Sequence, residues 1–432
     1  MIRLALQAVS PTTRRPLTLV VRSQAINLQH GISETCTFDL AGRPVGAFFD
    51  GRNYRRGLDN RWLVKWTEGH PRERQRRWLT SGEARTILER MHHLARELQQ
   101  AVDAGQVERT PQDPGRMDIG EGAREALTRV LRWDWPALET DRQRFLRVYK
   151  PIGILPPDQY LSLVLQATEG CWHNACTFCT FYRDRPFRIK SPAEFAAHID
   201  AVLDFFGESI ALRRTIFLGD ANALVMPFHR LTQLLDVMAG RLTIMPGGLS
   251  ASEQRRWRER YPDGFLGLYS FMDAFNVHRK SQEQWRQLAQ RGLQRVYIGM
   301  ETGDDALLRF LNKPGDAADV VEAVTLLKRA GVAVSVIILL GAGGERYFES
   351  HVENTVKALN AMPLDARDII YFSDFVVLPG SEYVVLAAEA GIQPLSTRRM
   401  REQEAAIRAR TRWRADDRGP RFSRYDIREF LY

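Results

Sequence analysis

Residues 168–182 read Thr-Glu-Gly-Cys-Trp-His-Asn-Ala-Cys-Thr-Phe-Cys-Thr-Phe-Tyr and hold three of the chain's four cysteines, Cys171, Cys176 and Cys179. Thiolates are soft ligands that suit iron–sulfur clusters and zinc. Each extended residue reaches ~3.5 Å, so a loop this short can fold three thiolates onto one small centre. The number of ligands matters. An electron-carrying [4Fe–4S] cluster and a closed zinc site both take four protein ligands. Three cysteines leave one iron open to another molecule. Zinc with His173 as fourth ligand, or a group of reactive thiols, are the other chemistries these residues allow.

Secondary-structure signals place this loop. The apolar run at 160–167 reads as a buried strand, so the cysteines follow a strand's carboxyl end. From 158 to 385 strand-like and helix-like stretches alternate, which predicts an α/β domain with a parallel sheet. Further strands are predicted at Thr215–Leu218, Leu266–Phe271, Val296–Met300, Val332–Leu340 and Ile369–Leu378. Ser191-Pro-Ala-Glu194 is a helix start with Phe195, Ile199, Val202 and Phe206 on the buried face. Helices are also expected at 228–239, from Ser281 to Arg291, and from the Asp316 cap to Gly331. Six strand–helix units fit a barrel, whose chemistry gathers at the strand carboxyl ends. Those ends carry the cysteines, Gly219-Asp220, Glu301, Gly341-Ala-Gly-Gly-Glu345 and Leu378-Pro-Gly. A dinucleotide site on Gly341-Ala-Gly-Gly is the rival reading, and it lacks the full glycine spacing.

The Cys-x4-Cys-x2-Cys loop, with Phe178 before its last cysteine, resembles the cluster loop of the radical S-adenosylmethionine (SAM) superfamily, one residue longer than the common form. The span from about 160 to 385 is similar to that superfamily's partial (β/α)6 TIM-like barrel. The branch it most resembles is the one holding oxygen-independent coproporphyrinogen oxidase and the Elongator catalytic subunit. The resemblance implies a [4Fe–4S] cluster on Cys171, Cys176 and Cys179 and SAM on the open iron. It places Gly219 and Asp220 at the methionyl amino group, Glu301 at the ribose hydroxyls and Lys313 at the methionyl carboxylate. It also places Leu339 and Gly341 in the fifth-strand turn beside adenine, Leu378 in the sixth-strand turn, and Phe178 in the cofactor site.

A protein of this kind cleaves SAM reductively to a 5′-deoxyadenosyl radical, which takes hydrogen from a substrate. The electron implies a flavodoxin or ferredoxin-type donor. After the loop only Cys36 remains, too few thiols for a second cluster. No Asp-x-His-x-x-Gly signature of a cobalamin domain occurs. The extra cysteine of the coproporphyrinogen oxidase loop is replaced by Thr180-Phe-Tyr, so that activity does not carry over. A small molecule is the favoured substrate class, with RNA and peptide as alternatives. A non-catalytic iron–sulfur protein that carries electrons or senses is the reading from another class.

The organisation expected is an N-terminal α+β accessory region at 1–157, the barrel at 158–385 and a basic C-terminal extension at 386–432. The chain of 432 residues is 44% hydrophobic and 26% charged, which is globular and not disordered. No stretch reaches the ~20 apolar residues of a membrane span, and the start lacks the pattern of a secretion signal. Four cysteines with three in one loop are no disulfide framework, which points to a reducing cytoplasm with Cys36 as an inert thiol. Net charge is +9, with eleven Arg against six acids from 392 to 432, read as a solvated face that leaves nucleic acid open as a partner.

Residues 36–66 read as β-structure with an Asp50-Gly51 turn, and Arg55, Arg56, Arg61 and Lys65 are expected over the rings of Tyr54, Trp62 and Trp66. A helix is predicted at 81–104 with His92 and His93 at the surface, followed by a polar linker at 106–117. The ending Arg424–Tyr432 alternates apolar residues like a docked strand. With the 36–66 stretch it is expected to shape the barrel mouth.

Overall fold

In the computed structural model all residues are described except 70–72, 116 and 414–417. The chain forms two compact units, one of Met1–Pro151, Asp200–Arg213 and Leu431–Tyr432, the other of Ile152–Ile199 and Arg214–Phe430.

The first unit holds nine antiparallel strands. They are β1 (Ile2–Val9), β2 (Pro16–Arg22), β3 (Ala25–His30), β4 (Glu34–Asp39), β5 (Pro44–Phe49), β6 (Arg52–Arg56), β7 (Trp62–Glu68), β8 (Glu73–Trp78) and β9 (Glu108–Arg109). β1 to β8 run as a meander, and β9 joins beside β1. The sequence reading of 36–66 covers β4 to β7, and the Asp50-Gly51 turn has both residues at positive φ, as a two-residue hairpin requires. The reading missed β1 to β3, because their polar outward residues dilute the apolar alternation. Helices α1 (Ser81–Asp103), α2 (Ile119–Leu131) and α3 (Trp135–Val148) follow. The last two lie past the expected linker, in a segment for which the sequence reading assigned no element. Thr80 and Glu83 form a capping box on α1. Leu6, Leu28, Phe38 and Phe49 from the sheet pack with Met91, Leu98 and Leu127 from the helices. Each such burial contributes about 2 kcal/mol.

Two corrections belong to this unit, and Cys36 stands as expected. His92 is buried, not at the surface, because it faces the core side of α1. Near the expected stretch, Arg52 lies over Trp66 and Arg61 over Trp78, not over Tyr54 or Trp62. Arg56 is instead buried and donates to Asn60 Oδ1 at 2.9 Å. Cys36 is fully buried, which pushes its thiol far up and keeps it inert.

The second unit is built on seven parallel strands: β10 (Leu163–Gln166), β13 (Ile216–Gly219), β14 (Leu268–Met272), β15 (Leu293–Glu301), β16 (Ala333–Leu340), β17 (Ile369–Asp374) and β18 (Arg421–Tyr425). They neighbour one another in chain order. The helices between them are α4 (Pro192–Phe206), α5 (Phe228–Ala239), α6 (Ala251–Arg260), α7 (Gln282–Gln290), α8 (Asp305–Phe310), α9 (Ala317–Arg329), α10 (Phe348–Ala361), α11 (Tyr383–Glu389) and α12 (Thr397–Arg410). This unit is an α/β fold of the partial-barrel kind, and the first unit is α+β. A short ladder of β11 (Thr168–Glu169) and β12 (Arg188–Ile189) lies outside the main sheet.

All six predicted barrel strands are present, and Ser191 and Glu194 cap α4 as its sequence indicates. The sixth strand ends at Asp374, four residues early, and 375–378 continue as irregular chain. The docked strand of the tail lies at 421–425, upstream of its expected place, and pairs with β17 as a seventh strand. Inside the sheet, Asp158 collects the hydroxyls of Tyr297 (2.6 Å) and Tyr371 (2.8 Å) and the Arg295 guanidinium (3.2 Å). Among the described residues, no helix is long and apolar enough to cross a membrane.

Candidate functional site: a three-cysteine cavity at the strand ends

The cysteine loop spans the gap between β11 and β12, whose pairing closes its neck. Arg188 donates to both carboxylate oxygens of Glu169, at 2.8 and 2.9 Å, and Lys190 lies 2.9 Å from the same group. Burial disfavours the charged form of Glu169, but the two cations outweigh it and hold the carboxyl down at about 2. Gly170 has positive φ, and a Cβ there would meet the Pro186 carbonyl at 2.8 Å, so only glycine fits. Along the loop, Trp172 Nε1 donates to Asp273 at 2.9 Å and Asn312 Nδ2 donates to the Ala175 carbonyl at 2.8 Å. Thr177 N donates to the Leu311 carbonyl at 3.0 Å. Arg183 donates to the carbonyls of Cys176 and Cys179. The thiols therefore sit in a loop fixed from several sides.

Cys171, Cys176 and Cys179 line one cavity of about 190 Å³, together with Glu301 and Lys313. Burial pushes all three thiols up, Cys176 to about 12. Lys313 Nζ lies 3.0 Å from Glu301 Oε1. Burial lowers the lysine's affinity for its proton, but Glu301, Asp273 and Cys176 outweigh it and hold Lys313 charged. Gly299 makes room for the pair, since a Cβ there would meet Glu301 Oε1 at 2.2 Å. Glu301 itself holds φ +64°, a conformation that side chains other than glycine rarely adopt.

The remaining expected residues divide. Phe178, Leu339 and Leu378 line the cavity. Asp220 is buried behind it, and its oxygens accept from Gln166 Nε2 (2.7 Å), Gly170 N (3.1 Å) and Arg185 Nη2 (3.2 Å). Gly219 turns its carbonyl to Thr168 Oγ1 at 3.3 Å. Gly341 N donates to Gln403 Oε1 of α12 at 2.8 Å, so that turn faces the extension. Sequence reasoning missed Asp273, Arg183, Arg185 and Asn312, which hold the loop, and Tyr182, which lines the cavity; Tyr425 and Ile427 of the ending expected at the barrel mouth also line it. Asn312 stands next to Lys313, and that adjacency was the one local signal.

The donor set fits an iron–sulfur cluster. Among the described residues, no three His, Cys, Asp or Glu side chains close on one metal-ion point. Mononuclear zinc would need its thiolates within ~2.3 Å of one ion. His173 also spends Nε2 on the Asn312 carbonyl, at 2.9 Å. A cluster spreads its thiolates over separate irons, and three half-buried thiols around a cavity suit it.

The turn after β15 is held from behind. His351 Nδ1 bonds Thr302 Oγ1 at 2.7 Å, and Gly303 N donates to Thr355 Oγ1 at 2.9 Å. Burial holds the His351 imidazole down to about 4 from its ordinary 6.5, with Asp304 opposing. The unfolded chain therefore binds this proton at a higher pH than the folded one. Stability is present above pH 6.5 and lost as pH falls towards 4, by about 3 kcal/mol. Denaturant midpoints measured across that window should fall, and should flatten in His351→Gln. An equal fall in the variant removes His351 as the cause.

Residues 165–359 match the Radical SAM superfamily. No curated protein matches the chain. Among solved structures, the chain is similar to the cobalamin-dependent S-adenosylmethionine radical enzyme OxsB, at 15% identity and TM-score 0.35 over 55% of this chain and 30% of that one. It is similar to Elp3 of the archaeon Methanocaldococcus infernus, at 14% and 0.37 over 61% of this chain and 56% of that one. Coproporphyrinogen III oxidase (HemN) from Escherichia coli gives 13% and 0.36, over 62% and 54%. The chain spans less than two thirds of each of these proteins. The matched segment runs from within the first barrel strand to the helix after the fifth, and this part of the chain is similar to radical SAM domains, which use a [4Fe–4S] cluster and SAM.

Proposed function

We propose that this enzyme abstracts hydrogen from a small molecule held in the three-cysteine cavity. The observation that carries the reading is that three half-buried thiols and an acid–lysine pair line one cavity at the strand ends. Cys171, Cys176 and Cys179 would hold the cluster. Glu301 and Lys313 offer SAM one anionic and one cationic group, and Phe178, Leu339 and Leu378 offer apolar walls. Gly219, Asp220 and Gly341 act from behind, by fixing the loop neck and the fifth-strand turn. When bound, cluster and SAM supply a one-electron cleavage that yields a hydrogen-abstracting carbon radical. The chain's own part is to position both and to exclude water.

A small substrate is favoured because Phe271, Ile337, Phe375 and Val376 give the cavity apolar walls, and Tyr425 and Ile427 of the C-terminal extension add to them. In this reading the extension after 385 completes the barrel that 158–385 builds, and 1–157 is an accessory region. Members of the superfamily need a reductant. A flavodoxin or ferredoxin-type donor in a reducing cytoplasm is the form proposed here. Anaerobic reconstitution, reduction with dithionite and addition of SAM should produce 5′-deoxyadenosine. A fully loaded protein that produces none would instead be an electron carrier or sensor.

A further inference from the structure

Three phenols line the cavity: Tyr182, Tyr297 and Tyr425. Two are committed. Tyr297 donates to Asp158 at 2.6 Å, and Tyr425 donates to the Leu155 carbonyl at 2.6 Å. Tyr182 is 6% exposed, and its hydroxyl has no hydrogen-bond partner among the described residues. Its position is nevertheless fixed. The backbone carbonyl accepts from Asn174 Nδ2 at 3.2 Å. The Arg185 guanidinium lies 5.4 Å from the ring centroid, and Phe181 packs edge-on at 6.5 Å. A phenol held rigidly with its O–H unspent on a cavity wall is placed for something that enters the cavity.

Chemistry selects what it can do. An aliphatic O–H bond is stronger than the C–H bond that would replace it, so the unpartnered Ser373 hydroxyl on another wall cannot give up a hydrogen atom to an alkyl radical. A phenolic O–H is weaker than that C–H bond, so transfer from Tyr182 runs downhill. Burial raises the phenol's pKa far above its ordinary value, so the hydrogen stays on oxygen at neutral pH.

We propose that Tyr182 is the hydrogen-atom donor to carbon radicals formed in this cavity. The Tyr182 O–H bond breaks and a C–H bond forms. The carbon radical is reduced and Tyr182 is oxidised to a phenoxyl radical. That radical is restored by one electron from the same one-electron reductant that primes the site and by a proton from water at the mouth. The proposal rests on the radical reading of the site.

SAM alone is the probe, because the radical it yields is itself an alkyl radical. In D₂O the phenol exchanges to O–D. Reduced, reconstituted protein given SAM without substrate should yield 5′-deoxyadenosine carrying one solvent deuterium. Tyr182→Phe should retain cluster content and SAM affinity while its labelled fraction falls at least tenfold. Rapidly frozen wild-type samples should show a phenoxyl signal by electron paramagnetic resonance that narrows with ring-deuterated tyrosine and is absent from the variant. Unlabelled product from the wild type, or a label kept by Tyr182→Phe, overturns the assignment. A full cluster that gives no 5′-deoxyadenosine at all overturns the radical reading instead.

Discussion

Cys176→Ala is expected to remove at least nine-tenths of the iron that anaerobic reconstitution loads, while the chain stays folded. Cys176 lies in the middle of the three-thiol loop and lines the cavity. Its thiol is pushed up to about 12 by burial, so an iron site must displace a tightly held proton there. Two thiolates cannot hold a cluster that three were placed to hold. The fold should tolerate the change because other groups fix the loop: Trp172 on Asp273, Asn312 on Ala175, Thr177 on Leu311 and Arg188 on Glu169. Iron and sulfide assays, visible absorbance and thermal unfolding check both halves. Wild-type iron content in the variant would take Cys176 out of the cluster. Loss of folding would show that the thiol is structural.

The second large effect is expected at the Glu301–Lys313 pair. Both side chains are nearly buried, and Nζ lies 3.0 Å from Oε1. Removing one member of a buried pair leaves the other charge uncompensated, which costs about 3–5 kcal/mol. Lys313→Met should therefore lower unfolding stability by that order, and Glu301→Gln on the same background should restore most of it. Single-variant costs that simply add would mean the charges do not depend on each other. SAM binding should separate from stability. The double variant, refolded and loaded with a cluster, should bind SAM at least tenfold more weakly than wild type, because both polar groups offered to it are gone. Unchanged affinity would place SAM elsewhere in the cavity.

Local signals carried much of this protein. The strand runs show apolar periodicity, and Ser191, Ser281 and Asp316 cap α4, α7 and α9 where their side chains indicate. The cysteine spacing carried the cofactor chemistry, because thiolate chemistry needs only proximity that a short loop guarantees. Reading failed where the signal was shared between distant segments. The strands β1 to β3 alternate weakly, and α2 and α3 lie in a stretch without a strong stop. β18 joins β17 from about fifty residues away, and strand propensity does not name a partner.

The sequence alone determined that three thiols stand after a strand, that acids and glycines recur at later strand ends, and that strands and helices alternate as in an α/β domain with a parallel sheet; the radical SAM kind of barrel came from the resemblance. Tertiary structure alone decided how those residues are used. It closed Glu301 on Lys313, turned Asp220 back onto the loop neck and gave Gly341 to α12. It put Tyr182 on the cavity wall, together with Tyr425 and Ile427 of the ending already expected at the barrel mouth. The physical reason is that a residue's type fixes which bonds it can make, whereas its burial and its partners depend on segments packed against it from far along the chain.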